Sequence, residues 1–271
     1  MRVLITNDDG IEAPGLLALA SAARDDDHDV VIAAPAHQSS GSSASITANE
    51  SDGRIEVETR ELDGLAGVPA FAVHGGPGLI ALIAARGAFG DAPDLVLSGV
   101  NHGANVGRAI LHSGTVGAAL TSGLNGAWAI AVSLDAGLRP RELHWDDAAR
   151  TALDLVPRLT DLPRGAVLNV NVPNSAAPHG IAEARLAPFG IVQTTLTERE
   201  TSYVRLAVED LPHVPEPGTD AARLADGWVT VTRITPVADQ PLGIGLESKS
   251  GHTEGTLEPG RLGCGHEAPV T

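Results

Sequence analysis

Apolar runs of strand length alternate with runs of helical period through the first half of this chain, and that alternation restricts the fold more than any other feature. Val3 to Thr6 reads as a strand. Residues 14 to 24 read as a helix with proline in the first turn and leucines at 16, 17 and 19. The pattern then repeats: strand at Asp29 to Ala34, helix at Gly78 to Arg86, strand at Asp94 to Ser98, helix at Thr115 to Leu124, strand at Ala129 to Leu134. A helix at His144 to Leu159 and a buried strand at Ala166 to Val172 follow. Strands separated by helices of this length imply crossovers and a parallel sheet covered on both faces. The expected fold class is therefore α/β, a doubly wound and mostly parallel sheet.

Two stretches depart from the pattern. Arg54 to Leu62 alternates apolar and charged residues, which suits a half-exposed strand. Ala182 to Thr235 holds further alternating runs, YVRLAV and WVTVTRIT among them, with turn residues between and no helical period. The expected organisation is a catalytic core over 1–180, a β-rich extension over 181–240 and a Gly/Pro-rich tail over 241–271. Alternating strands of this length leave open edges in a lone chain, so a homodimer or larger assembly through the extension is expected.

Composition narrows the function. The formal charge is −16 and Lys249 is the one lysine, so the surface field repels polyanions and long nucleic acids are not expected partners. No apolar run approaches the ~20 residues that span a bilayer, and no membrane association is expected. The start, MRVLITNDDG, is unlike a secretory signal, and the single cysteine, Cys264, forms no intrachain disulfide; a cytoplasmic location is expected.

Ligands bind beyond the carboxyl ends of strands in such sheets. After the first strand comes Asn7-Asp8-Asp9-Gly10, after the second the serine-rich PAHQSSGSSAS, and after DLVLS the loop from Gly99 to Gly107, followed by Ser113-Gly114-Thr115 at a helix start. Adjacent carboxylates repel, and a hard divalent cation resolves the conflict. With a hydroxyl and an amide oxygen they would make an all-oxygen site suited to magnesium, manganese or calcium. The same residues also fit an ordinary Asp-Gly turn. Ser113 to Thr115 would present N–H groups to an anion, or Ser113 would simply cap the helix. A G-x-x-x-x-G-K-[ST] motif is missing, which excludes a P-loop nucleoside triphosphatase. His102 and His112 flank the site.

The stretches NDDGIEAPG at 7 to 15, AAP…SSGSS at 33 to 43, SGVNHGANVG at 98 to 107 and SGTVGAA at 113 to 119 together resemble the SurE family of survival-protein nucleotidases. AIAVSL, LNVNVP and ITP further along match in order. The resemblance implies a Rossmann-like core with a β-rich extension used in dimer and tetramer contacts. It implies a metal-dependent phosphomonoesterase acting on nucleoside 5′- and 3′-monophosphates, with one divalent cation per subunit, magnesium or manganese, held by Asp8, Asp9, Ser40 and Asn101. Ser39 stands one residue before Ser40. The loop AHQSS lacks the basic residues often found there in the family.

The expected reaction is in-line attack on phosphorus by a metal-bound water, with Asp8 or Asp9 accepting its proton. Asn7, Gly10, Asn105, Ser113, Gly114 and Thr115 would bind the phosphoryl group. A phosphoaspartyl route would call for D-x-D-x-[TV] directly after the first strand, where Asn7-Asp8-Asp9-Gly10 stands instead. Two other readings are a nucleotide or metal sensor without turnover, and a zinc deacetylase. The second would need His-Pro before the acid pair, where Thr6 and Asn7 stand.

Overall fold

The first strand, β1 (Arg2–Thr6), lies inside the sheet with a parallel neighbour on either side: β2 (Asp29–Pro35) sets Val31 against Leu4, and β7 (Leu95–His102) sets Val96 against the same residue. Burial on both faces explains why β1 reads as a continuous apolar run. In a computed structural model, residues 1–48, 50–137, 140, 142–188, 192–199, 204–210, 215–235 and 237–239 are described, and Met1–Val237 form one unit. The tail expected over 241–271, with Lys249 and Cys264, lies outside the described residues.

In chain order the remaining elements are α1 (Pro14–Asp25), β3 (Glu50–Ser51), β4 (Arg54–Ile55), β5 (Val57–Arg60), β6 (Ala70–Val73), α2 (Pro77–Ala84), α3 (Gly114–Leu124) and β8 (Trp128–Asp135). Then come α4 (Trp145–Thr160), β9 (Val167–Pro173), β10 (Ile181–Glu183), β11 (Val192–Arg199), β12 (Val204–Asp210), α5 (Asp220–Ala225) and β13 (Val229–Ile234). Nine strands form the main sheet in the order β10-β13-β9-β8-β7-β1-β2-β6-β5. The pairs β5–β6 and β9–β13 are antiparallel and the rest parallel, so the α/β, mostly parallel architecture expected from the sequence is present.

The pleat sorts β1 into two cores. Val3 and Ile5 pack with Leu16 and Leu19 of α1 and with Leu153 and Leu159 of α4, while Leu4 packs with Ile80 of α2 and Val116 and Ala119 of α3. Helices therefore cover both faces, as the crossovers require. In α3 the small residues Gly114, Gly117, Ala118 and Ala119 are buried, which lets its backbone come close to its neighbours.

Four differences from the sequence reading stand out. The strand expected to end at Ser98 continues to His102: its register with β8 shifts between Ser98 and Asn101, at Gly99 with φ 142°, and then Asn101 pairs with Ser133. The strand β6 was not expected, because AFAV is too short to show a period. The region 182–235 is not free of helix: α5 has six residues, too few for a helical stripe, and its signal is the cap, where the Thr219 hydroxyl accepts from Ala222 N–H at 3.3 Å. Strand pairing also runs across residue 180, since β10 and β13 continue the main sheet, whereas β11 and β12 form a separate antiparallel pair.

Candidate functional site

The parallel register of β2, β1 and β7 ends these strands along one rim, and the residues that follow them meet there. The turn after β1 is built by Asn7, which is fully buried. Its amide nitrogen donates to the Gly10 carbonyl at 2.9 Å and its amide oxygen accepts from Gly10 N–H at 3.1 Å. With φ 110°, Gly10 takes a backbone conformation that side-chain-bearing residues avoid. The result is that Asp8 and Asp9 leave the strand end side by side. Asn7, expected among the phosphate-binding groups, uses one hydrogen bond at each amide atom to hold the turn.

Asp8 is 4% exposed. Burial raises its carboxyl above the usual carboxylate range, and the neighbouring charge of Asp9 adds to this. Thr115 opposes the shift: its hydroxyl donates to Asp8 Oδ1, and its backbone N–H, at the start of α3, also favours the ionised form. One N–H at the α3 N-terminus is thus directed at the chain's own carboxylate. Ser113 is the cap, its hydroxyl accepting from Val116 N–H at 3.1 Å. Gly114 has no room for a side chain, because a Cβ there would stand 2.8 Å from Asp8 Oδ2 and 2.6 Å from Ser42 Oγ. The Ser42 hydroxyl is buried and has no hydrogen-bond partner among the described residues.

Asp9 ties the three loops together. One carboxylate oxygen accepts from the backbone N–H of His102 at 3.2 Å, and the other from Gln38 Nε2 at 3.4 Å. The same Gln38 nitrogen donates to Ser40 Oγ at 3.0 Å, so one amide holds Ser40 beside Asp9. Ser39 points its backbone N–H at the Asp8 carbonyl, 2.7 Å away, and its side chain lies toward Gly76. Asn101 donates through Nδ2 to the Gly103 carbonyl at 2.7 Å, which leaves the amide oxygen as its free ligand atom. Gln38 therefore links Ser40 to Asp9, and Asn101 directly precedes the residue whose N–H binds Asp9. Asn105 is used differently: its backbone carbonyl accepts from Asn169 at 2.8 Å and Asn171 at 2.9 Å, its N–H donates to Asn171 Oδ1 at 2.7 Å, and its side chain donates to Ser133 Oγ at 2.9 Å. It fastens the loop to β8 and β9.

Gln38, Ser42 and the asparagine clamp were not among the expected site residues. The clamp had a signal in LNVNVP, where two buried asparagines interrupt an apolar strand. Gln38 and Ser42 had none beyond their loop.

The donor set suits a hard cation. No ion pair among the described residues engages Asp8 or Asp9, so two adjacent carboxylates, one of them buried, stand without a compensating charge. A second group of potential ligands, Glu56, Glu58 and His74, has donor atoms within 4.8 Å of one another at the β5 edge. There Glu58 already pairs with Arg60 at 2.7 Å.

The raised Asp8 carboxyl has a consequence for stability. The folded state binds this proton more tightly than the unfolded state, so the contribution is present below 3.8 and is lost as pH rises through the folded value. At neutral pH the ionised carboxylate opposes folding unless a cation is present. Asp8→Asn, which keeps an oxygen for Thr115 and removes the charge, is expected to raise the Tm of chelator-treated protein at neutral pH, with a smaller gain in mild acid. A calorimetric Tm below that of the wild type would contradict this.

Comparisons with known proteins agree with the fold. The profile of the family described as survival protein SurE matches residues 3–197. Two curated relatives, each named 5′-nucleotidase SurE, are 40% identical over 182 residues in Xanthomonas oryzae pv. oryzae (strain PXO99A) and over 183 residues in Xanthomonas axonopodis pv. citri (strain 306). These matches span 65% of this chain and 65% of each relative, just under two thirds of their length. The crystal structure of the SurE protein from Aquifex aeolicus superposes with a TM-score of 0.72 at 28% identity, covering 88% of this chain and 95% of that one. With the family profile covering most of its length and its fold shared with the Aquifex aeolicus structure, this chain belongs to the survival protein SurE family.

Proposed function

We propose that this protein is a phosphomonoesterase that hydrolyses nucleoside 5′- and 3′-monophosphates to nucleoside and inorganic phosphate, using a divalent cation, magnesium or manganese, held by Asp8, Asp9, Ser40 and Asn101. The observation that carries this reading is the uncompensated carboxylate pair at the end of β1; it is supported by Gln38, which joins Ser40 to Asp9, and by the extension of β7, whose His102 N–H, next to Asn101, binds Asp9. The 5′-nucleotidase name of the Xanthomonas relatives supports the same substrate class.

When bound, the cation supplies Lewis-acid activation of a water and neutralises charge on the phosphoryl group. The chain's own residues do the rest. Thr115 fixes one oxygen of Asp8, and His102 N–H with Gln38 fixes both oxygens of Asp9, so neither carboxylate must reorient during the reaction. One of the two accepts the proton of the attacking water. The bare Cα of Gly114 lets Asp8 and the buried hydroxyl of Ser42 pack closely against the start of α3, and Ser42 holds a hydroxyl with no partner among the described residues in reserve beside the acid pair. Ser113 and Thr115 act through the helix start and through Asp8, and Asn7 and Asn105 act by holding the loops.

Inorganic phosphate released from AMP in the presence of manganese is the direct test. Release is expected to stop on chelation and return on adding metal, and Asp9→Asn is expected to lower kcat by at least ~100-fold, as for loss of a group that acts on developing charge. Turnover at the wild-type rate after exhaustive chelation would remove the cation from the mechanism. Binding of AMP without any turnover would favour a sensor.

The same reading includes a homo-oligomer, assembled through the extension over 181–240. It is supported by β11 and β12, which pair with each other and with no other described strand and so present open edges. Light scattering at micromolar concentration is expected to give at least a dimer, and a monomer mass would end this part of the proposal.

A further inference from the structure

The rim that holds the acid pair continues past β2 to the carboxyl end of β6, where a cavity of about 340 Å³ opens, a volume within the range of small-molecule sites. Its lining includes His37, Gln38, Ser39, Thr47, His74 and Gly76. Gln38 belongs to both places, since its amide nitrogen contacts Ser40 and Asp9. The cavity therefore adjoins the acid pair through Gln38.

Its aromatic wall is histidine. His37 and His74 meet edge to face, with centroids 5.9 Å apart and planes at 85°. Such a pair leaves at least one face of each ring uncovered by its partner, and His37 is the exposed member. His74 is fixed from behind: its Nε2 lies 2.7 Å from Glu58 Oε1, and its backbone N–H donates to the Glu56 carbonyl at 3.0 Å. Other aromatic rings among the described residues are engaged elsewhere. Phe71 stacks on Phe89, Trp128 lies under Arg164, and Trp228 sits against His179. Trp145, with His102, stands on the α1 and α4 side of the rim and does not line this cavity.

Resting on the phosphatase reading above, we propose that the cavity between the β2 and β6 ends is the nucleoside subsite, with the base stacked on the His37 imidazole and His74 supporting that ring. Bases stack on histidine as on other aromatic side chains, and the interaction tolerates any base because each has a π face. A small phosphate ester would use the acid pair alone and leave the cavity empty.

The test uses full-length protein and two variants, His37→Ala, which removes the ring, and Thr47→Trp, which fills the cavity from an exposed position. Calorimetry with adenosine, which carries no phosphate, is expected to show binding weakened about tenfold or more in both variants, in line with loss of one stacked base. In parallel, KM for AMP is expected to rise by a similar factor, with KM and kcat for glycerol phosphate unchanged. Adenosine affinity equal in wild type and both variants, or no adenosine binding at all, would overturn the subsite. Equal losses on AMP and glycerol phosphate would also overturn it, by assigning His37 to the phosphate end. A wild type that binds adenosine through His37 but releases no phosphate would support the subsite and end the phosphatase reading instead.

Discussion

Two carboxylates on consecutive residues, one of them almost fully buried, are the constraint around which the rim of this protein is organised. Placing Asp8 where water cannot solvate it, next to the charge of Asp9, opposes folding in the absence of a cation. The surrounding structure supplies partial compensation from three directions. The start of α3 brings the Thr115 hydroxyl and N–H to Asp8, the end of β7 brings the His102 N–H to Asp9, and the β2 loop brings Gln38. None of these groups carries a positive charge. Dipoles and neutral donors orient the pair, and the remaining field is what a hard cation would balance.

Precision at such a site depends on the loops that supply it, and these are anchored by residues with no direct part in the chemistry. The loop after β7 is held by Asn105 against Asn169, Asn171 and Ser133. Two residues further on, the N–H of Gly107 donates to the buried carboxylate of Asp220 at 2.8 Å, which also accepts from Ala187 N–H at 2.8 Å. The short helix α5 thus secures the far end of the same loop, and the segment after residue 180 contributes to the rim through this contact. The turn after β1 is secured in the same way by Asn7. Side-chain amides replace backbone ladders where the chain leaves the sheet.

Much of this was legible in the sequence, for identifiable reasons. The buried parallel strands β1, β2, β7, β8 and β9 are runs of apolar residues, and α1 and α4 carry a clear helical stripe, so their type followed from periodicity. The strand ends named the candidate residues because parallel sheets put their ligands there. What the sequence did not reveal was the division of labour among them. Asn7, Ser113, Thr115 and Asn105 look alike in a one-dimensional motif as polar groups near a phosphate, yet their hydrogen bonds go to Gly10, Val116, Asp8 and the β8–β9 strands. Ser42 and Gln38 gain their places only from the fold of a serine-rich loop that has no periodicity. The six residues of α5 were too few to announce themselves except through Thr219.

The central claim is that Asp8, Asp9, Ser40 and Asn101 surround one hard cation. A crystal soaked in manganese and measured for anomalous scattering addresses it most directly. The account predicts a single anomalous peak per chain within coordination distance of Asp8 and Asp9, with Ser40 Oγ and Asn101 Oδ1 turned toward it, about 2.0–2.6 Å from the ion as for hard oxygen-ligated cations. Density for manganese at Glu56, Glu58 and His74 with none at the acid pair would contradict it.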